Sequence, residues 1–487
     1  MAHGSGQKRT WQFLIGGEWL PAADGRMFPV VNPATGEQLA EVPYGGFAEA
    51  QRAIEAAHGA FPAWAERPAE ERAGILYRAG NRLLADRERL ARLLTAESGK
   101  PITETRGEIG YTAGFLHFAA EEAKRVGGRT IPASRSRRLV VIRQPIGVAA
   151  AITIWNFPAA AITRPVAPAL AAGCTVVVKP DERTPLSAIA VCKALQEGGL
   201  PPGVLNLVTG EAPAIGQAFL ENPAVRKINF TGSTEVGRLL MRHAADRVTR
   251  LTLELGGHAP FIIFEDADLE AAVKAAVASK FRNAGQTCVC ANRIYVHERI
   301  FEPFTARFTK LTRALTVGDP QDETVQIGPL IDKEAYTKVS HHVDDATGKG
   351  ATILCGGRRI SDGGFAGGFF FEPTVLTGIT DHMVILQEET FGPVAPLLAF
   401  SDEAEAIAAA NDTPYGLAAY FYTRDLGRVF RMVEQLRFGV VGVNDPFPGT
   451  PQAPFGGWKA SGIGKEGGRM GLEGFLETKL ISWGMRG

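Results

Sequence analysis

The stretches GVAAAITIW (Gly147–Trp155), CTVVV (Cys174–Val178), VLNLV (Val204–Val208), VRKINF (Val225–Phe230) and LTLE (Leu251–Glu254) decide the fold. Each is short and mostly apolar, has the length of a strand, and is bounded by turn-forming residues. Helical segments alternate with them: one near Ala159 to Ala172, one opened by Thr184-Pro185 as N-cap and first-turn proline, a short one after Val208, and one from Thr234. Apolar runs without polar alternation suit strands covered on both faces, and strand–helix alternation suits a parallel sheet. The expectation is an α/β protein with a doubly wound, nucleotide-binding sheet.

A second alternation begins at Phe261 to Phe264 and continues through a helix over Leu269 to Phe281, a strand at Ile294 to Val296 and a helix near Phe301 to Leu315. It runs to about Gly442 and predicts a second α/β domain, joined near Gly256-Gly257. Upstream, short apolar runs and the turns Gly16-Gly17 and Pro33–Gly36 precede two helical patterns, Ala48 to Trp64 and Pro68 to Thr95. The tail Gly471 to Trp483 alternates like an edge strand. No internal repeat is visible.

A chain of 487 residues exceeds one hydrophobic core, so two or three domains are expected. Lys plus Arg and Asp plus Glu both total 52, which leaves no basic excess for nucleic acid. The polar N-terminus MAHGSGQKRTWQ lacks a signal-peptide core, and the most apolar stretch, Gly147 to Thr163, is broken by Asn156 and Pro158. Five cysteines make no disulfide framework and suit a reducing compartment. The reading is a cytoplasmic protein without membrane or nucleic-acid partners.

Four segments carry the chemistry. GQTC (Gly285–Cys288) follows a helix. A lone cysteine is usually a small buried hydrophobe, but the polar, glycine-bearing flank from Asn283 to Thr287 points to close backbone approach by a ligand. Glu254-Leu255-Gly256-Gly257 closes the fifth strand at the sheet edge where ligands bind; a glutamate there is costly to bury without a partner or a task. Trp155-Asn156-Phe157-Pro158 closes the first strand, and its amide donates to developing negative charge without bringing charge of its own. Gly232-Ser-Thr-Glu-Val-Gly237 is a strand-to-helix turn that exposes backbone N–H groups to phosphate, although it follows the fourth strand and departs from G-x-G-x-x-G. Taken singly, these read as a packing thiol, a strand-end ion pair, a turn asparagine and a helix cap.

Together they do not. WNFP, VKP (Val178–Pro180), FTGSTEVG, ELGG, GQTC, EETFGPV (Glu388–Val394) and PFGGWKASG (Pro454–Gly462) occur in an order that resembles the aldehyde dehydrogenase superfamily, from about Trp19 to Glu477. The 34-residue step from Glu254 to Cys288 matches as well. The resemblance implies that Cys288 is the nucleophile, that Asn156 and the Cys288 N–H hold the oxyanion, and that Glu254 is the general base for thioester hydrolysis. It implies NAD or NADP as cofactor, with contacts from Trp155, Lys179, Gly232, Ser233, Gly237, Leu255, Glu389 and Phe391, and no metal. Glu182, four residues past Val178, stands where an acidic side chain holds both ribose hydroxyls and repels a 2′-phosphate, which favours NAD, with Arg183 beside it as a counterweight.

Within the superfamily, FRNAGQTCVCANRIYV (Phe281–Val296) and QPIGVAAAITIWNFPAAAITR (Gln144–Arg164) look most like succinic semialdehyde dehydrogenases. That implies carboxylate recognition by Arg164 and Arg282, with Phe157 and Phe455 as further substrate contacts. It also implies that Cys288 and Cys290 can close a disulfide. Asp445-Pro-Phe-Pro-Gly-Thr450 departs from that group, which typically carries a serine in this loop, so glutaric or 2-oxoglutaric semialdehyde and sulfonate analogues stand beside succinic semialdehyde. The implied organisation is a dinucleotide-binding domain over 1–125 and 144–255, a catalytic domain over 256–468, and oligomerisation segments over 126–143 and 469–487 of a homodimer or homotetramer. A general aliphatic or aromatic aldehyde dehydrogenase, a CoA-acylating relative and a non-catalytic scaffold are the alternatives. Glu254 argues against CoA acylation, and Cys288, Glu254 and Asn156 together argue against a scaffold.

Overall fold

The computed structural model describes residues 11–485; the polar leader over 1–10 and the last two residues, 486–487, lie outside the described residues. The five runs form parallel strands β1 (Val148–Ile152), β2 (Thr175–Lys179), β3 (Leu205–Leu207), β4 (Val225–Thr231) and β5 (Arg250–Glu254). They lie side by side as β3-β2-β1-β4-β5. The order reverses between β1 and β4, and that switch point opens a crevice at the carboxyl edge. Both faces are covered: Ala149 and Ala151 of β1 enter one apolar cluster, while Val148 and Ala150 enter another on the opposite face.

Phe13–Ile15 and Glu18–Leu20, a hairpin turning on Gly16-Gly17, extend the sheet beyond β3, and Gly462–Ile463 pairs antiparallel with β5 at the other end. The second alternation forms a seven-stranded sheet. Ala418–Tyr422, Ala259–Ile263 and the central strand Ala291–His297 lie side by side in it, all parallel. The helix between them runs over Leu269–Phe281. Leu476–Gly484 pairs antiparallel with Arg137–Pro145 of the same chain, leaving Leu480 and Trp483 at the surface. Among the described residues no helix is long and apolar enough to cross a membrane.

Two sequence expectations are corrected. The pattern Pro68 to Thr95 is two helices, Ala69–Ala85 and Arg87–Ser98, broken at Asp86. A 22-residue helix, Ile102–Ala123, was not foreseen, because Gly107, Gly110 and Gly114 interrupt its periodicity. Tertiary packing overrides that weak propensity: this helix crosses the helix Pro158–Ala172 and buries Ile109, Phe115 and Leu116.

Candidate active site

The carboxyl edge of the first sheet meets the cysteine loop of the second. Glu254 ends β5, and its main-chain carbonyl accepts from Gly232 N at 3.0 Å, tying the glycine turn to the acidic strand end. Gly257 lies where a Cβ would stand 2.2 Å from the Cys288 carbonyl, so the two sheets approach only because that side chain is absent.

The loop before Cys288 is held by its own polar residues. Asn283, Ala284 and Gly285 all have left-handed backbone (φ 50°, 54° and 75°). Glu104, on the unforeseen helix, accepts from Asn283 N at 3.1 and 3.0 Å. Gln286 ties the loop to the segment at Pro329–Ile331, donating to Pro329 O at 3.3 Å and accepting from Ile331 N at 2.9 Å. Asn156 donates to Gln286 O at 3.1 Å, which leaves its second amide hydrogen free. Among the described residues the Cys288 N–H has no protein acceptor.

Cys288 lines a cavity of about 370 Å³ together with Phe157, Arg164, Arg282, Phe455, Tyr111, Glu104, Glu108, Tyr420 and the loop Pro446–Gly449. Burial pushes its thiol up to about 12, against the pull of Arg164 and Arg282. Both carboxylate oxygens of Glu254 are buried without a hydrogen-bond partner. Burial, then Glu466, raise its carboxyl well above the ordinary range, and Arg164 and Lys465 pull it down. A buried carboxyl with no partner holds its proton tightly, and once that proton is lost it is a strong base.

The two arginines differ. Arg164 forms an ion pair with the buried Glu466, Nε to Oε2 2.9 Å, and its guanidinium lies 4.4 Å over the Phe455 ring. Arg282 lies against the rings of Phe157 and Phe447, at 5.4 and 5.1 Å, and among the described residues its buried Nε, like that of Arg164, has no hydrogen-bond partner. Gly449 lines the cavity; Thr450 does not. Sequence reasoning missed Tyr111, Glu104 and Glu108, which recur at helical spacing on one stripe of Ile102–Ala123. That stripe was the available signal.

Residues suited to a dinucleotide gather at the switch point. Ser233 caps the helix Thr234–Ala244, accepting from Val236 N at 3.3 Å. Gly237 packs against Leu255, whose Cδ2 lies 2.5 Å from where a Cβ would stand. Lys179, buried at the end of β2, donates to Glu182 Oε1 at 2.6 Å. Arg183 is drawn elsewhere, to Asp181 at 2.8 and 2.9 Å and to Asp332 at 3.0 Å, with its guanidinium over Trp155. Glu389 accepts from Gly257 N at 3.0 Å, and burial raises its carboxyl to about 7. Phe391, in left-handed backbone, meets Trp155 edge to face with ring centroids 5.6 Å apart. A helix N-terminus, a Lys–Glu pair and a fixed carboxylate at one crevice fit phosphate, a ribose diol and a second ribose.

Comparison with known proteins shows the family. Residues 19–481 match the model of the aldehyde dehydrogenase family. The NADP(+) succinate-semialdehyde dehydrogenase of Escherichia coli is 52% identical over 475 residues, 97% of this chain and 98% of that protein. The glutarate-semialdehyde dehydrogenase of Pseudomonas putida is 51% identical, over 96% of this chain and 97% of its own. The crystal structure of succinate-semialdehyde dehydrogenase from Burkholderia pseudomallei superposes with a TM-score of 0.96 at 50% identity, covering 99% of this chain and 100% of that one.

Proposed function

The chain belongs to the aldehyde dehydrogenase family, and we propose that it oxidises a short aldehyde with a distal acid group, succinic semialdehyde or a close homologue, to the corresponding diacid. The observation that carries the reading is Arg282. A guanidinium that forms no ion pair among the described residues, held against two aromatic rings beside the Cys288 cavity, suits an anionic group on the substrate. Two relatives matched over nearly their whole length are named for aldehydes with a terminal carboxylate, and a third for one with a sulfonate.

In this reading the Cys288 thiol loses its proton to Glu254 as its sulfur attacks the aldehyde carbon, and the tetrahedral oxyanion forms beside the free Asn156 amide hydrogen and the Cys288 N–H. A nicotinamide held at this crevice would supply the acceptor for the hydride that leaves this carbon. Glu254 passes the thiol proton to solvent and then takes one from the water that hydrolyses the remaining thioester, with Cys288 leaving as the thiolate. Lys179 and Glu182 hold the adenosine ribose, the Ser233 turn and Trp155 hold the pyrophosphate, and Glu389 with Phe391 hold the nicotinamide ribose. NAD is preferred over NADP, because Glu182 occupies Lys179 and Arg183 is committed to Asp181 and Asp332, so neither of these two cations is free for a 2′-phosphate.

The test is a substrate panel followed at 340 nm with NAD and NADP, with and without CoA. Acid semialdehydes turning over far faster than uncharged aldehydes, independently of CoA, support the reading. CoA-dependent turnover overturns it.

A further inference from the structure

Behind the reacting cysteine lies a second thiol beside a buried amine. Lys280, at the end of the helix Leu269–Phe281, is fully buried, and its Nζ stands 3.3 Å from Cys290 Sγ and 3.2 Å from Asn292 Oδ1. Cys290 is equally enclosed, and its thiol points back to the Lys280 carbonyl at 3.4 Å. Asn292 in turn leans on Gly257 O at 3.5 Å. An ammonium in a dry interior ordinarily has an anionic partner; the hydrogen-bond partners of this one, among the described residues, are a thiol and an amide. None of the catalytic steps above uses either group.

We propose that Lys280 and Cys290 form a peroxide-driven nitrogen–sulfur cross-link. Hydroperoxide oxidises the Cys290 thiol to the sulfenic acid, its O–O bond breaking and one oxygen leaving as water. The Lys280 amine, having lost its ammonium proton, attacks sulfur; the S–O bond breaks, the S–N bond forms, and a second water leaves. For hydrogen peroxide the balance is one thiol, one ammonium and one peroxide giving one sulfenamide, two waters and one proton. Sulfenic acids are known to condense with a nitrogen placed against them, and thiols reverse the bond. The separation needs little closure, and burial protects the sulfenic acid from bulk thiols while Lys280 waits at contact distance.

The geometry also bears on the disulfide implied by resemblance. Cys288 faces the substrate cavity, whereas the Cys290 sulfur is turned to Lys280, with the amine already at contact distance. Burial pushes the Cys290 thiol up and Lys280 pulls it down, so its oxidation is slow and needs sustained peroxide.

Cleavage at arginine separates the outcomes, because Leu251–Arg282 carries Lys280 and Asn283–Arg293 carries both cysteines. Full-length wild type and Cys288→Ser are incubated with hydrogen peroxide, digested and mass-mapped. The expected product in both is the two peptides joined through Lys280 and Cys290, lacking two hydrogens, released by dithiothreitol, and absent from Cys290→Ser and Lys280→Arg. Should Lys280→Arg fail to fold, the map of Cys288→Ser decides alone. An intact Lys280 with Cys290 unmodified or carried to sulfinic acid overturns the proposal, as does wild type holding Cys290 only in a disulfide within Asn283–Arg293.

Discussion

Asn156 and Gln286, in loops beside different sheets, are joined by a 3.1 Å hydrogen bond from the Asn156 amide to the Gln286 carbonyl, two residues before Cys288. One amide hydrogen is spent on holding the cysteine loop, and the other is left for the reaction. Removing the side chain therefore loosens the loop and deletes an oxyanion donor together. Asn156→Ala should lower kcat by roughly 10²–10³, the scale for one such donor. Asn156→Asp should fare worse, since it brings a negative charge to where one develops. Single-turnover rates at saturating aldehyde check both.

Glu254 and Cys288 divide the two half-reactions, so their variants should fail differently. Cys288→Ala should have no dehydrogenase turnover. Glu254→Gln keeps the shape and loses the base; it should reduce one equivalent of NAD, slowly, and then stop with the thioester in place. Rapid-quench measurement of the burst, with mass detection of the acyl-enzyme, distinguishes them. Continuous turnover by Cys288→Ala sinks the mechanism.

The pH dependence follows from the same two groups. Both are acids pushed upward, Cys288 to about 12 and Glu254 well above its ordinary range, mainly by burial. Each acts only after losing its proton, so protonation at low pH removes activity, and raising the pH restores it. kcat/KM should climb through the neutral range into the alkaline range, with no plateau on the acid side of neutrality. A profile flat from acid to neutral pH would contradict the buried, unpartnered state of Glu254.

Cofactor choice should respond to one residue. Glu182→Gln removes the charge that opposes a 2′-phosphate and frees Lys179 Nζ, now 2.6 Å from Glu182 Oε1. The ratio of kcat/KM for NADP to that for NAD should rise about tenfold or more, the order of one charge contact at about 1.4 kcal/mol per tenfold. Wild type favouring NADP would overturn the assignment of Glu182.

The doubly wound sheet was legible because β1 to β5 are apolar runs whose pattern is local, and because Glu254, Asn156 and Ser233 follow strand ends, where a parallel sheet gathers its ligands. The helix Ile102–Ala123 was not, since three glycines weaken its signal and its burial depends on helices distant in the chain. Arg164 shows the second limit. Its spacing from Asn156 predicts a tunnel residue, and it does line the cavity, but no local pattern reveals Glu466 waiting across the fold. Contacts of that separation are set by packing alone.

That pairing gives the two arginines different failures. Arg164→Met leaves the buried Glu466 carboxylate alone, and breaking a buried pair from one side costs about 3–5 kcal/mol. Its melting temperature should fall, and Arg164→Met with Glu466→Met should recover much of the loss. Arg282→Met should melt close to wild type, because no protein carboxylate is abandoned. Denaturation curves of the four proteins decide this.

Arg282→Met should instead change what the enzyme accepts. In wild type an uncharged aldehyde gives up the guanidinium contact, worth roughly 2–5 kcal/mol when a charge partner is lost in a dry site. Butanal should therefore fall below succinic semialdehyde by about 30-fold to several thousand-fold in kcat/KM, at about 1.4 kcal/mol per tenfold. In Arg282→Met the gap should shrink to about tenfold or less, with most of the change on the acid substrate, because the flanking rings of Phe157 and Phe447 remain. Gly449 adds a length test. A Cβ at that position would stand 3.7 Å from the Tyr111 hydroxyl, so the glycine leaves room beside it for another methylene. Gly449→Ser should lower the kcat/KM of glutaric semialdehyde more than that of succinic semialdehyde, by the several-fold to a hundredfold that one methylene in a fitted pocket commands. If butanal and succinic semialdehyde react equally well in wild type, neither arginine reads a carboxylate, and the acid-semialdehyde assignment falls whatever the length test shows.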